Sequence, residues 1–182
     1  MKILIVGAGI AGLTVAALLK KRGYTPVIIE KAHTLGTIGF SIGIWNNGRR
    51  VLQELGIAEE FDKKGYPLPE YSIANGKGIV LKLYHFEEFV KKYWPPRVQI
   101  SRTEFYELLR NALGNLPIHT GTTIQSLHQN SDSVEVLLSN GKKEIFDVVI
   151  GADGIHSQMR DMVFGLDHIK YLGWRGWFFL DR

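Results

Sequence analysis

The chain contains no cysteine in its 182 residues. That absence excludes disulfides, Cys-ligated zinc, iron–sulfur clusters and thiolate nucleophiles, and it suits a reducing compartment. No uninterrupted apolar run approaches the roughly 20 residues a membrane-spanning helix needs, so no membrane partner is expected. The apolar run Ile3 to Val6 passes straight into glycines with no cleavage site behind it; it does not read as a signal peptide, and the expected location is cytoplasmic. Internal repeats and low-complexity tracts are lacking. The histidines His33, His85, His119, His128, His156 and His168 show no metal-ligand spacing, which leaves no metal site to expect. Nor is there a serine–histidine–acid arrangement. A net charge of +4 and a pI near 9.2 raise the question of nucleic acid, but the basic residues are interspersed with acidic ones. The nearest approach to a binding patch is Lys91, Lys92, Tyr93, Trp94 and Arg97 around Pro95 and Pro96, and no nucleic-acid partner is expected. At 45% hydrophobic and 22% charged, the composition is that of an ordinary globular protein, long enough for one full domain and part of a second.

What is present is concentrated at the start. Ile3, Leu4, Ile5 and Val6 form the short apolar run of a strand buried on both faces of a parallel sheet. Gly7, Gly9 and Gly12 then carry the G-x-G-x-x-G spacing: the first glycine permits a tight turn, the second lets backbone approach a pyrophosphate, the third lets helix and strand pack closely. Ile10, Leu13, Ala17 and Leu18 recur at helical spacing, and Lys20, Lys21 and Arg22 sit where the helix dipole favours cations. Gly23 reads as the stop, Val27 to Ile29 as the next strand, and Glu30 stands at its end. An acid about 20 residues beyond the turn accepts hydrogen bonds from ribose hydroxyls and disfavours a 2′-phosphate. Strand, turn, helix, strand and acid together predict a dinucleotide site, without distinguishing one dinucleotide from another.

Residues 33–45 read as a glycine-rich loop, followed by a helix that Asn46 is expected to cap and Gly56 to end, then a short helix over Ala58 to Lys64. Asn75-Gly76-Lys77-Gly78 between two apolar runs signals a hairpin from Tyr71 to Tyr84, an insertion into the nucleotide fold. Phe105, Leu108, Leu109, Ala112 and Leu113 predict a helix capped by Ser101 or Thr103. Arg102 places a cation where the dipole prefers an anion; an anionic partner and a surface arginine satisfied by Glu104 both fit. A parallel strand from Leu116 to His119 and three short antiparallel strands follow. Then Asp147 to Ile150 supplies another parallel strand, ending in Gly151-Ala152-Asp153-Gly154. That turn sets an acid at the C-terminal end of a strand, where doubly wound sheets bind ligands. A structural turn capped by its own aspartate is the other reading.

With both turns in view, GAGIAGLTVAALLKKRGYTPVIIE, GFSIGIWNNGRRVLQELGI, ISRTEFYELL and GADGIHSQMR resemble FAD-dependent monooxygenases of the aromatic-hydroxylase type, related to p-hydroxybenzoate hydroxylase, over essentially the whole chain. The Gly-Ala-Asp-Gly turn with Ser157 and Arg160 is the most discriminating element. The resemblance implies an α/β fold: a Rossmann-like FAD-binding domain with a parallel sheet, a three-stranded meander crossover and an inserted hairpin. It would occupy residues 1–168, with an insertion over about 66–100 partly on the substrate side, and 169–182 would begin an incomplete substrate domain. It implies FAD as cofactor, held by Gly7, Gly9, Ile10, Ala11 and Gly12 at the pyrophosphate, by Glu30 and Lys31 at the adenosine, and by Arg102 at the phosphate and ribityl region. It also gives contacts to Asp153, to Gly43 near the flavin ring and to Leu127 near adenine. The implied reaction takes electrons from NAD(P)H and uses dioxygen to hydroxylate a small organic substrate, aromatic ones included, through a flavin hydroperoxide. No residue is assigned as catalytic acid or base, and His156 is not taken for one. Members are about twice this length. A later glycine–aspartate motif and most of the substrate pocket are therefore expected in a C-terminal half or a partner chain. The competing expectations are a non-catalytic FAD- or nucleotide-binding module and, less favoured by the second turn, an NAD-dependent dehydrogenase.

Overall fold

In the computed structural model, which describes residues 1–36, 40–68, 70–86, 99–165 and 169–173, the chain divides into two units, 1–38 with 106–179 and 39–105 with 180–182. The Lys91 to Arg97 pattern and the end of the chain from Trp174 lie outside the described residues.

The first unit is organised on β1 (Ile3–Val6), every residue of which is buried. It lies between two parallel neighbours, and because both of its faces are buried it is apolar throughout instead of alternating. Those neighbours are β2 (Val27–Ile29) and a strand near the end of the described chain, Val148–Gly151; Ile118–His119 pairs in parallel beyond β2. Helix α1 (Ile10–Lys21) buries Leu13, Ala16 and Ala17, ends at Arg22, and leaves through Gly23 at φ 84°. Its last turn is tied down by Lys20, whose Nζ donates to the Leu113 carbonyl at 2.6 Å.

The second unit contains β3 (Ser41–Gly43), α2 (Asn46–Leu55), α3 (Ala58–Lys64), β4 (Glu70–Ala74), β5 (Val80–His85) and β6 (Gln99–Ser101). Strands β3 and β6 pair antiparallel, with Ile42 opposite Ile100. Phe61 is fully buried, edge-on to Phe105 at 5.9 Å, and Arg49 forks both guanidinium nitrogens onto Asp62 to join α2 and α3. The expected caps are displaced. Trp45, extended at φ −85° and ψ 178°, holds the cap position of α2 without a side-chain cap bond, so Asn46 is its first helical residue. The chain leaves β3 extended as far as Trp45 and turns helical one residue before the asparagine could cap it. Helix α4 (Arg102–Leu113) likewise starts before Thr103, which rules that residue out as its cap; it begins in the second unit and continues in the first.

Asn75 closes the β4–β5 hairpin by accepting from the amides of Lys77 at 2.9 Å and Ile79 at 3.1 Å, with Gly78 at φ 79°. Every residue of β4 and β5 is exposed, including Tyr71, Ile73, Leu81 and Leu83. A two-stranded sheet as exposed as this one is among the described residues is marginal in water. In the chain by itself, its amides are expected to exchange with solvent faster than those of β1 by on the order of a hundred-fold or more, measured by hydrogen exchange and mass spectrometry. Equal protection would show that something covers the hairpin.

Returning to the first unit, β7 (Ile118–His119) leads to the antiparallel strands β8 (Ile124–Gln129), β9 (Val134–Leu138) and β10 (Lys143–Phe146), then to β11 (Val148–Gly151) and α5 (Gln158–Phe164). The parallel sheet runs β11-β1-β2-β7 and the antiparallel one β10-β9-β8. Ile124, Val136, Leu138 and Phe146 are buried with Leu4, Val6, Ile29 and Met159 in one cluster. Each such side chain contributes about 1.5–3 kcal/mol on leaving water. This packing brings the C-terminal ends of β1, β2 and β11 to one edge. Among the described residues, no helix is long and apolar enough to cross a membrane.

Candidate functional site

The turns after β1 and β11 lie against each other. Gly7 has φ +104°, and a Cβ on it would stand 2.4 Å from the Ala152 carbonyl oxygen. The Gly7 amide donates to Ile29 O and the Ala152 amide to Val6 O, both at 2.8 Å, which locks the turns to the strands beside them. A Cβ on Gly12 would lie 1.9 Å from Gly7 O, so the close seating of α1 on the turn also excludes a side chain. Gly9 differs: a Cβ there would meet nothing within 4 Å, and its φ of −74° suits any residue. What glycine provides at this position is bare backbone facing the cleft. Gly9 also holds the N-cap position of α1 without a side-chain cap bond, and the first turn carries no acid, leaving amides and the positive dipole end free for an anion.

Glu30 is held from two sides. Its Oε2 accepts from the Ala8 amide at 2.8 Å, inside the glycine turn, and its Oε1 from the Ala32 amide at 2.9 Å. Charge-assisted bonds of this kind fix the carboxylate and leave lone pairs for a ligand's hydroxyls. Lys31 is exposed at the rim of the same cleft, which has a volume of about 140 Å³.

Asp153 also borders this cleft, but its carboxylate is engaged within its own turn: Oδ1 accepts from Ser157 Oγ at 2.6 Å and Oδ2 from the Met159 amide at 3.1 Å. Ser157 Oγ accepts in turn from the Arg160 amide at 2.9 Å, and the Arg160 guanidinium donates to Ile155 O at 3.1 Å. The self-capping reading thus describes the carboxylate, while Ala152 and Gly154 present backbone to the cleft. The fold brings Gly7, Gly9, Glu30, Lys31 and Asp153 together, with Ile10 and Ala11 in the first turn of α1. Leu127 is half-buried on β8 and borders a separate depression with Ser126 and His128. Gly43 on β3 and the exposed Arg102, whose amide donates to Phe40 O at 2.6 Å, belong to the second unit. Thr122, Thr123 and Gln158 complete the cleft and escaped the sequence reading. Gln158 directly follows the capping serine of the second turn, which is the one signal that would have placed it there.

Tyr106 stands apart. Its ring packs on Gly36, where a Cβ would come within 3.0 Å of it, and its hydroxyl is buried without a hydrogen-bond partner among the described residues. Burial raises its pKa above 10.0, the Arg110 charge opposes the rise and the Glu30 charge adds to it. Tyr106→Phe removes an unpaired polar group, and stability at neutral pH is expected to hold or to rise by about 1 kcal/mol. Because the folded pKa exceeds the unfolded one, the tyrosine costs stability as pH rises past 10.0. Urea unfolding should show a shallower alkaline loss in the variant; an equal loss would place the titrating group elsewhere.

Residues 1–168 match the family described as the FAD binding domain. The chain belongs to that family. The residues fit the cofactor: an uncapped helix start, bare backbone at Gly9 and a clamped acid at Glu30 provide for pyrophosphate and ribose. Related members include a flavin-dependent monooxygenase of Legionella longbeachae, 32% identical over 90% of this chain and 42% of its own length. A 3-amino-4-hydroxybenzoate 2-monooxygenase of Streptomyces cremeus is 32% identical over 96% of this chain and 44% of its own length. Among solved structures, Klebsiella pneumoniae HpxO complexed with FAD and uric acid superposes with a TM-score of 0.77 at 25% identity, over 92% of this chain and 42% of that one. The tetracycline destructase Tet(51) gives 0.70 at 29% identity, over 90% and 41%. This FAD-binding chain therefore spans less than half the length of these relatives.

Proposed function

We propose that this FAD-binding domain is the N-terminal part of a flavin-dependent monooxygenase that uses NAD(P)H and dioxygen to hydroxylate a small organic substrate. The observation that carries the reading is the meeting of the glycine turn, the clamped Glu30 and the Gly-Ala-Asp-Gly turn at one cleft, within a domain whose named relatives are monooxygenases. When bound, FAD supplies the redox chemistry: it takes two electrons from a pyridine nucleotide and activates dioxygen. The chain's part is to hold the cofactor. Gly9 and the first turn of α1, with Ile10 and Ala11, receive the pyrophosphate on backbone amides, and Glu30 accepts from the ribose hydroxyls. The parallel sheet is read as Rossmann-like, the three antiparallel strands as its crossover, and the β4–β5 hairpin as an insertion on the substrate side. Arg102 and Gly43 are assigned to the cofactor's phosphate and flavin regions, and Leu127 to adenine, by resemblance; Arg102→Ala is expected to weaken FAD binding about ten-fold or more. The aromatic and heterocyclic acids named for the relatives indicate the substrate class to try first.

The test is a titration of the purified chain with FAD, followed by NADH or NADPH oxidation with and without candidate substrates, in the presence of a complementary C-terminal half. Failure to bind FAD sinks the reading. FAD binding with no substrate-dependent oxidation in the completed protein favours a non-catalytic binding module.

A further inference from the structure

Thr122, Thr123 and Gln158 form the wall of the cleft beyond the ribose acid. This wall adjoins Glu30 directly, since the Thr122 amide donates to Glu30 O at 2.9 Å. A base attached to a ribose held by Glu30 therefore comes to rest beside it. Nucleotide-binding folds commonly read a base with backbone amides and carbonyls, but here both threonine amides and the Thr123 carbonyl are already used. The Thr122 amide is taken by Glu30, the Thr123 amide donates to Ser139 Oγ at 3.0 Å, and the Thr123 carbonyl accepts from the Ser139 amide at 2.9 Å. The Thr122 hydroxyl is 3.3 Å from Thr120 O, to which it donates.

What remains is one side-chain pair. The Thr123 hydroxyl donates to Gln158 Oε1 at 3.2 Å. That bond turns Oε1 toward the threonine and Nε2 away from it. Oε1 keeps a second lone pair, and Nε2 keeps both of its hydrogens, with no partner among the described residues. Gln158 is also fixed along the chain. It is the first residue of α5, directly behind the Ser157 cap, and the Asp153–Ser157–Arg160 bonds hold that corner. The result is an adjacent acceptor and donor at a set position. Adenine offers the complement, an N6 donor beside an N7 or N1 acceptor, and glutamine satisfies such a pair in bidentate fashion. Hypoxanthine and guanine carry an oxygen acceptor in place of the N6 donor, which would face Oε1 unpaired.

We propose that Gln158, oriented by Thr123, is the specificity-determining residue that reads the adenine of the cofactor. The inference rests on the FAD-site reading of the cleft, and it seats the base at Thr123 and Gln158 in place of the assignment to Leu127, which borders a separate depression.

The experiment compares ADP with IDP, which differ at this one edge of the base, by calorimetric titration of the full 182-residue chain. The wild-type chain is expected to favour ADP by about ten-fold. Gln158→Ala should bring the two affinities to within about two-fold of each other, chiefly by weakening ADP, with an unchanged thermal midpoint because Gln158 is exposed. Thr123→Val, which removes the orienting hydroxyl, should lower the preference part of the way, and Thr123→Ser should restore it. A merely structural Thr123–Gln158 bond would alter the thermal midpoint and leave the ratio alone. An ADP preference that survives Gln158→Ala overturns the proposal, as does a wild-type chain that binds both nucleotides equally. A wild-type chain that binds neither ADP, IDP nor FAD overturns the FAD-site reading itself, an outcome distinct from a site that binds nucleotides without discriminating the base.

Discussion

Gly12→Ala is expected to cost the first unit much of its stability, whereas Gly9→Ala leaves the fold intact and costs it the cofactor. Both glycines belong to one motif, and both are conventionally explained by close approach. The structure separates them. The Cβ introduced at Gly12 would lie 1.9 Å from the Gly7 carbonyl oxygen, a backbone atom in a turn that is itself wedged against Ala152. Neither partner can give without lifting α1 off the turn, because Leu13 beside it is fully buried. Overpacking of this kind costs about 3 kcal/mol or more, a large share of a marginal total, and lowers the thermal midpoint by roughly 10 °C. At Gly9 the added methyl meets no protein atom within 4 Å and the backbone is unstrained, so the midpoint should stay within about 2 °C. The methyl would instead occupy the space over the free amides of α1, and FAD should bind at least about ten-fold more weakly. Thermal melts followed by circular dichroism, with FAD titrations monitored by flavin fluorescence, distinguish the two. Undiminished FAD binding by a folded Gly9→Ala chain would move the pyrophosphate away from this turn.

Glu30→Ala should damage binding and stability together. The carboxylate is the acceptor for the Ala8 and Ala32 amides, and its loss leaves the part-buried Ala8 N–H without a partner. An unsatisfied buried donor costs about 1–3 kcal/mol. The same change removes the acceptor for the ribose hydroxyls, so ADP and FAD should weaken in parallel, by on the order of ten-fold to a hundred-fold. Glu30→Gln is not a mild substitute: one of the two backbone amides would then face the glutamine NH₂, donor against donor. A Glu30→Ala chain with a lowered melting point and unchanged ADP affinity would show that the acid serves the turn alone.

These two expectations draw on different amounts of what the sequence shows. The run from Lys2 to Glu30 is legible because each of its elements depends on residues a few positions apart: a strand from a short apolar run, a helix from its spacing, a turn from glycines at fixed offsets. Gly56 and Gly23 follow the same local logic. Asn46 and Thr103 do not, because a cap needs an extended residue at one particular position, and both residues already lie within their helices. Arg102 and Gly43 were linked to the cofactor by resemblance, and they belong to a different unit from the cleft. Leu127 lies on β8, while the cleft is lined by Thr122 and Thr123, just ahead of that strand.

By itself, then, the sequence determined a glycine turn at a helix start with an acid at the next strand end, the pattern of a dinucleotide site, since these are contiguous and carry their own geometry. Only the tertiary structure decided how that site is closed. Gly7 meets Ala152, Glu30 meets Thr122, and Thr123 meets Gln158 across long stretches of chain, because β11 and β2 flank β1 and the antiparallel sheet packs its buried face on theirs. Register and packing between sheets fix such contacts, and no local spacing encodes them. The same fold shows the Asp153 carboxylate bonded to Ser157 and to the first turn of α5, where the sequence offered both a ligand contact and a self-capped turn.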